Sequence, residues 1–198
     1  MRVTLIDSPV ANVGSIARAL RAAGAALAVT ADPAAIATAN KLVLPGVGTF
    51  PAAMRWLEQT TIATALRTAV ASGATLLGIC VGHQLLFDAS NELAPTRGLG
   101  FLPGTIEKFD GTLPIPQIGW NRLTTSASPL FDGVESGTSF YFVNSYAARN
   151  AQGEIATADY DGPFTAAVQR GRVFGVQFHP EKSSQAGLAV LRNYLACN

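Results

Sequence analysis

Cys80 stands in Gly78-Ile79-Cys80-Val81-Gly82, the spacing of a nucleophile elbow with cysteine in the place of serine. A sharp strand-to-helix turn holds such a residue in a strained backbone conformation, where side chains two positions to either side would collide. Glycine removes that collision. The turn also sets the sulfur over a helix N-terminus, whose positive end favours thiolate. A bare cysteine in an apolar run reads as a small buried hydrophobe, and the paired glycines turn the reading toward acyl chemistry. Cys197, with no such setting, reads as inert.

A cysteine nucleophile needs a base, and the chain holds two histidines, His83 and His179. His179 lies in Gln177-Phe178-His179-Pro180-Glu181, just after an apolar run, with an acid two positions on. Residues at i and i+2 can point to one side, so Glu181 can hold the imidazole's tautomer while His179 faces the sulfur. His83, three residues past Cys80, is carried by the turn away from the elbow's exposed face and reads as a packed or capping histidine. Acyl transfer further needs donors for the developing oxyanion. Pro45-Gly46-Val47-Gly48 ends another apolar run and could aim backbone N–H groups at the elbow, joined by the N–H of Val81.

The elements that would position these groups follow the pattern of an α/β unit. Val3 to Asp7, Leu42 to Leu44 and Thr75 to Ile79 are short apolar runs of the kind buried on both faces of a parallel sheet. Helical spacing marks Val13 to Ala23, one long segment from Ala52 to Ala71, a segment through Leu85, Leu86 and Phe87, and Ser183 to Ala196. From about Gly98 shorter segments (Gly104 to Phe109, Ser139 to Val143, Thr165 to Gln169, Arg172 to Phe178) are punctuated by Gly and Pro and read as hairpin and edge strands. The expectation is an α/β fold: a single-domain, open, mostly parallel sheet flanked by helices, with additional antiparallel strands. Open sheets of this kind place their sites at the strands' C-terminal ends.

Composition agrees with a core-forming chain. Of 198 residues 48% are hydrophobic and 14% charged, and 14 basic against 13 acidic residues leave a net charge of +1 with no basic cluster. That argues against a nucleic-acid or anionic-membrane binder. No apolar stretch reaches the ~18 residues of a membrane span, and nothing near Met1 has the pattern of a signal peptide. The expectation is a soluble, cytoplasmic protein with reduced thiols, needing neither metal nor cofactor.

Taken together, Leu44-Pro45-Gly46-Val47-Gly48, Gly78 to Gln84 and Gln177 to Ser183 resemble the class I, triad-type glutamine amidotransferases. More narrowly the chain is similar to the HisH family, the glutaminase subunits of imidazole glycerol phosphate synthase. Gly98-Leu99-Gly100-Phe101, Ile118-Gly119-Trp120-Asn121 and Tyr141 to Tyr146 support this, over nearly the whole chain. The glutaminase parts of anthranilate synthase, carbamoyl phosphate synthetase and GMP synthetase share the elbow and the H-P-E, but Lys182 and the G-W-N and Y-F-V segments favour HisH.

The resemblance implies a flavodoxin-like amidotransferase domain over residues 1–198, with Cys80, His179 and Glu181 as a triad that hydrolyses L-glutamine. It implies Val47 N–H as oxyanion donor in a mobile turn, with Gly48 lining the pocket. Gln84, Glu92, Ser145 and Tyr146 would hold the substrate's amino-acid end. It further implies a (β/α)8-barrel cyclase partner, HisF, that receives ammonia to make imidazole glycerol phosphate and AICAR. Asn12, Trp120, Asn121, Tyr141 and Lys182 would lie at that interface.

This sequence departs from the family at three places. Asp7-Ser8-Pro9-Val10-Ala11-Asn12 replaces a glycine-rich stretch, His83 stands where Met is more usual, and Asn144 replaces a His. A paralogue feeding ammonia to a nucleotide-sugar synthase is a second enzymatic reading. A non-catalytic partner-binding protein is a third, which the presence of all three triad residues disfavours.

Overall fold

In a computed structural model, residues 1–9 and 11–197 are described; Val10, in the divergent loop, and Asn198 lie outside them. The chain runs β1 (Arg2–Ile6), α1 (Val13–Ala22), β2 (Ala26–Thr30), α2 (Pro33–Ala37), β3 (Lys41–Gly46), α3 (Phe50–Gln59), α4 (Ile62–Ala71), β4 (Thr75–Cys80) and α5 (Val81–Gln84). There follow β5 (Phe87–Ser90), β6 (Thr96–Arg97), β7 (Leu102–Lys108), β8 (Gln117–Arg122), β9 (Thr124–Thr125), β10 (Ser139–Asn144) and β11 (Tyr146–Ala147). The chain ends with β12 (Glu154–Asp159), β13 (Pro163–Arg170), β14 (Val173–Val176) and α6 (Ser184–Ala196).

Eight strands form the central sheet in the order β2-β1-β3-β4-β14-β13-β12-β9, parallel from β2 to β14 and antiparallel beyond. β3 and β4 are buried along their whole length, which is why they read as unbroken apolar runs. β1 to β2 steps one way across the sheet and β3 to β4 the other, so right-handed crossovers put their helices on opposite faces. Accordingly α1 packs with α6, and α2 and α3 pack with α4. Two satellite sheets, β10-β8 and β11-β7-β5-β6, complete the fold.

The helix expected over 52–71 is two helices. Thr61 adopts a left-handed φ of 59°, and the Thr60 hydroxyl donates to the Trp56 carbonyl at 2.7 Å, closing the first helix from within. Two adjacent β-branched residues whose hydroxyls compete for backbone partners favour that break. The helix expected through Phe87 is also corrected: α5 is a single turn, and Phe87 already begins β5.

A buried lysine fastens the last helix to the sheet. Lys41 Nζ donates to the carbonyls of Tyr194 (3.0 Å), Leu195 (2.8 Å) and Cys197 at the end of α6, where the helix leaves its last carbonyls short of partners. The Tyr194 hydroxyl donates to Leu42 O at 2.6 Å and Thr75 O at 3.0 Å, tying α6 to β3 and β4. Among the described residues no helix is long and apolar enough to cross a membrane, no cluster of side chains could hold a metal ion, and both cysteines are free.

Candidate active site

Cys80 ends β4 with φ 55° and ψ −114°, a conformation L-residues avoid, and the glycines around it explain how it is held. A Cβ on Gly82 would lie 2.0 Å from the Leu44 carbonyl oxygen, one on Gly78 2.5 Å from the Gly82 carbonyl oxygen, and one on Gly46 2.7 Å from the Gly82 nitrogen. The collisions that glycine prevents are thus with neighbouring backbone on β3 and α5. Because α5 is one turn long, the sulfur gains little from a helix dipole, which needs several aligned peptides.

The β3–β4 register pairs Gly46 with Cys80, so the turn after β3 lies beside the elbow. Val47 in that turn is 38% exposed and Gly48 has φ +84°, which glycine adopts freely. Val81 is the first residue of α5. All three, with Cys80, Gln84, Glu92, Asn144, Ser145, Tyr146 and His179, line one cavity of about 200 Å³. That is below the 300–1,000 Å³ usual for drug-sized ligands and suits a molecule of amino-acid size.

His179 follows β14, with Phe178 turned into a cluster of rings: its centroid is 4.3 Å from that of Phe140 and 5.9 Å from that of Phe142. Burying Phe178 turns residues 177 and 179 to the other side. His179 Nδ1 lies 2.8 Å from Glu181 Oε1, both side chains almost wholly buried. This leaves Nε2 for the sulfur. Burial alone would lower the His179 pKa, but its hydrogen bonds to Cys80 and Glu181, together with their negative charges, lift it to about 10. The main chain is fixed too, since His179 N donates to Tyr141 O at 2.9 Å and the Ser183 hydroxyl donates to His179 O at 2.7 Å.

The expected substrate residues line the same cavity, with part of their hydrogen-bonding capacity already used. Glu92 Oε2 accepts from the Phe50 N–H at 2.7 Å, closing the N-terminus of α3 and leaving Oε1 for a ligand. Ser145 O accepts from Phe109 N at 3.0 Å. Both hydrogens of the Gln84 amide are engaged, by Tyr146 O and by Gln177 Oε1, each at 2.9 Å. Gln177, which motif reasoning passed over, also lies 3.9 Å from Cys80 Sγ through Nε2. Its signal was its place two residues before His179.

His83 is fully buried with neither ring nitrogen hydrogen-bonded. A Cβ on Gly175 of β14 would come within 2.3 Å of its Nδ1, and its ring meets that of Phe87 edge-on at 5.3 Å. Burial pushes its pKa down to about 3, so it is neutral and packed. It takes no part in the cavity.

The residues expected at a partner interface separate into two groups. Trp120 on β8 and Tyr141 on β10 are cross-strand partners with rings edge-on at 6.0 Å, and Lys182 Nζ stands 5.5 Å over the Tyr141 ring. Trp120 is 55% exposed and Ile118, two residues earlier on the same face, 64%. Ile118 was not singled out from the sequence, although its alternation with Trp120 signals it. Asn12 and Asn121 have structural partners: Asn12 Oδ1 accepts from Ser15 N at 3.2 Å and caps α1, and Asn121 Nδ2 donates to Asp159 O at 2.8 Å.

Comparison with known proteins agrees with this geometry. The family model "Glutamine amidotransferase class-I" matches residues 4–196. The chain is 43% identical to the imidazole glycerol phosphate synthase subunit HisH of Shouchella clausii over 97% of this chain and 96% of that protein. It is 44% identical to the subunit of the same name from Caulobacter vibrioides, over 98% and 97%. Among solved structures, a glutamine amidotransferase superposes with a TM-score of 0.78 over 98% of this chain and 97% of the other, and PurLQS from Thermotoga maritima with 0.72 over 98% and 97%. Both are 18% identical to this chain, a likeness of fold alone. Matches of that extent and identity place the chain in the class-I glutamine amidotransferases and, within them, in the HisH family.

Proposed function

We propose that this chain is the glutaminase subunit of an imidazole glycerol phosphate synthase, cutting glutamine with Cys80, His179 and Glu181 and handing the ammonia to a cyclase partner of the HisF type. The observation that carries the reading is the convergence of a strained Cys80, a His179 oriented by Glu181 at 2.8 Å, and a small cavity lined by both.

Cys80 Sγ attacks the carboxamide carbon of glutamine, and the carbonyl oxygen takes up the negative charge beside the N–H groups of Val47 or Gly48 and of Val81. His179, charged by the proton it has drawn from the thiol, returns that proton to the departing nitrogen. Ammonia leaves and a glutamyl thioester remains. His179, now neutral, takes a proton from water, whose oxygen attacks the thioester; the C–S bond breaks, glutamate leaves, and the Cys80 sulfur is left with the proton held by His179, while Glu181 keeps Nε2 aimed at the reacting atoms throughout. Glu92 Oε1 suits the substrate's α-ammonium by charge, while Ser145, Tyr146 and Gly48 shape the rest of the amino-acid end.

The exposed face of Ile118, Trp120, Tyr141 and Lys182 suits a protein partner, since aromatic residues are enriched at interfaces and here two of them stand beside an exposed isoleucine, with Lys182 at their edge. Asn12 and Asn121 belong to the same proposed surface through the elements they hold in place. We read residues 1–198 as one amidotransferase domain. In the test, Cys80→Ala and His179→Ala each abolish glutamate release while the variant still binds the cyclase. Near-normal turnover in either variant would remove the triad.

A further inference from the structure

The direction of one hydrogen-bond chain points to a residue the triad does not use. The Tyr146 carbonyl can only accept, so the Gln84 nitrogen 2.9 Å away fixes the orientation of that amide. The same nitrogen donates to Gln177 Oε1 at 2.9 Å, which turns the Gln177 nitrogen toward Cys80 Sγ, 3.9 Å away. Asn144 Nδ2 donates to the same Tyr146 carbonyl at 3.1 Å and reinforces its role as acceptor. Neither glutamine amide can flip without placing two acceptors, or two donors, face to face.

Gln177 is fully buried, and its main-chain N–H donates to Ala166 O at 2.8 Å. The sulfur therefore meets two side-chain nitrogens from one segment, those of Gln177 and His179, and one acceptor, the Val143 carbonyl at 3.8 Å. A thiol can donate to Val143 O. A thiolate cannot, and gains instead from each N–H directed at it.

We propose that Gln177 is a second hydrogen-bond donor to the Cys80 thiolate, and that Gln84 is a positioning residue that holds it there from the wall of the substrate pocket. This rests on the reading of Cys80 as nucleophile. The other titratable groups around the sulfur are His179 with Glu181 behind it, and Glu92 and Tyr146 on the cavity wall; His83 of α5 lies against Gly175 of β14.

The test is the pH dependence of Cys80 alkylation by iodoacetamide in the full chain without partner, followed by mass on the Cys80 peptide so that Cys197 does not contribute. It needs no turnover. Gln177→Met removes the donor at similar volume and raises the midpoint by about one pH unit, so alkylation slows about tenfold below both midpoints. Gln177→Glu keeps the acceptor for Gln84, sets a carboxylate beside the sulfur, and raises the midpoint at least as far. Gln84→Met leaves Gln177 in place but unoriented and raises it by less. Midpoints equal to the parent's in correctly folded 177 variants would overturn the proposal; should those variants melt below the assay temperature, an unchanged midpoint in Gln84→Met would do so. A parent chain whose Cys80 is alkylated no faster than Cys197 would remove the nucleophile assignment itself, and the proposal with it.

Discussion

Replacing His83 with Met tests whether the histidine under the elbow is a neutral packing residue. In the folded chain its two ring nitrogens have no hydrogen-bond partner and burial lowers its pKa to about 3, against 6.5 for the free side chain. A base with a depressed folded pKa contributes stability that is complete above its unfolded pKa. That stability is lost as the pH falls, because the unfolded chain takes up the proton first. Between pH 8 and pH 5 the loss is about 2 kcal/mol, set by the one and a half units that pH 5 lies below 6.5. Met fills similar volume, has no orphaned polar atoms and meets Phe87 with a polarizable sulfur. His83→Met is therefore more stable than the parent by about 1–3 kcal/mol at pH 8, the cost of burying unsatisfied polar groups. The gap widens by about 2 kcal/mol at pH 5. His179 shifts in the opposite sense, upward, but both chains share it, so the difference isolates His83. Urea unfolding of both chains at the two pH values is the assay. A gap that does not change with pH would show that His83 takes up its proton as readily in the folded chain as in the unfolded one and would refute the reasoning.

Two further outcomes follow from geometry. Gly82→Ala, whose Cβ would sit 2.0 Å from the Leu44 carbonyl oxygen, forces β3 and the elbow apart; urea unfolding shows a loss of about 3 kcal/mol, and glutaminase activity falls with it. Trp120→Ala leaves the isolated chain within about 0.5 kcal/mol of the parent in the same assay, since the side chain is largely exposed. The cyclase concentration needed for half-maximal stimulation rises about tenfold or more.

The elbow and the His179–Glu181 pair were legible because such chemistry demands particular residues at fixed spacing: glycines where backbone crosses backbone, and an acid two positions after the histidine. The strands β3 and β4 were legible because burial on both faces leaves an unbroken apolar run. Strand β2, Ala26–Thr30, was not, since its alanines carry no strand preference and it forms only by pairing with β1. The break at Thr60 and Thr61 was hidden by an apolar spacing that continues through it. Within the site, Gln177 was overlooked because its role depends on hydrogen-bond direction, and that direction starts from a carbonyl 31 residues away in sequence, at Tyr146. Sequence alone did not show that Asn12 and Asn121 make capping and loop-bridging bonds, because those bonds depend on where α1 and β12 lie in the fold.

Glutamate release from glutamine by the purified chain, alone and then with the HisF-type cyclase of the same genome and its ribonucleotide ligand, tests the central claim most directly. The account predicts little release by the chain alone and a large stimulation by the loaded cyclase. Release that does not respond to the cyclase would contradict the assignment to an imidazole glycerol phosphate synthase.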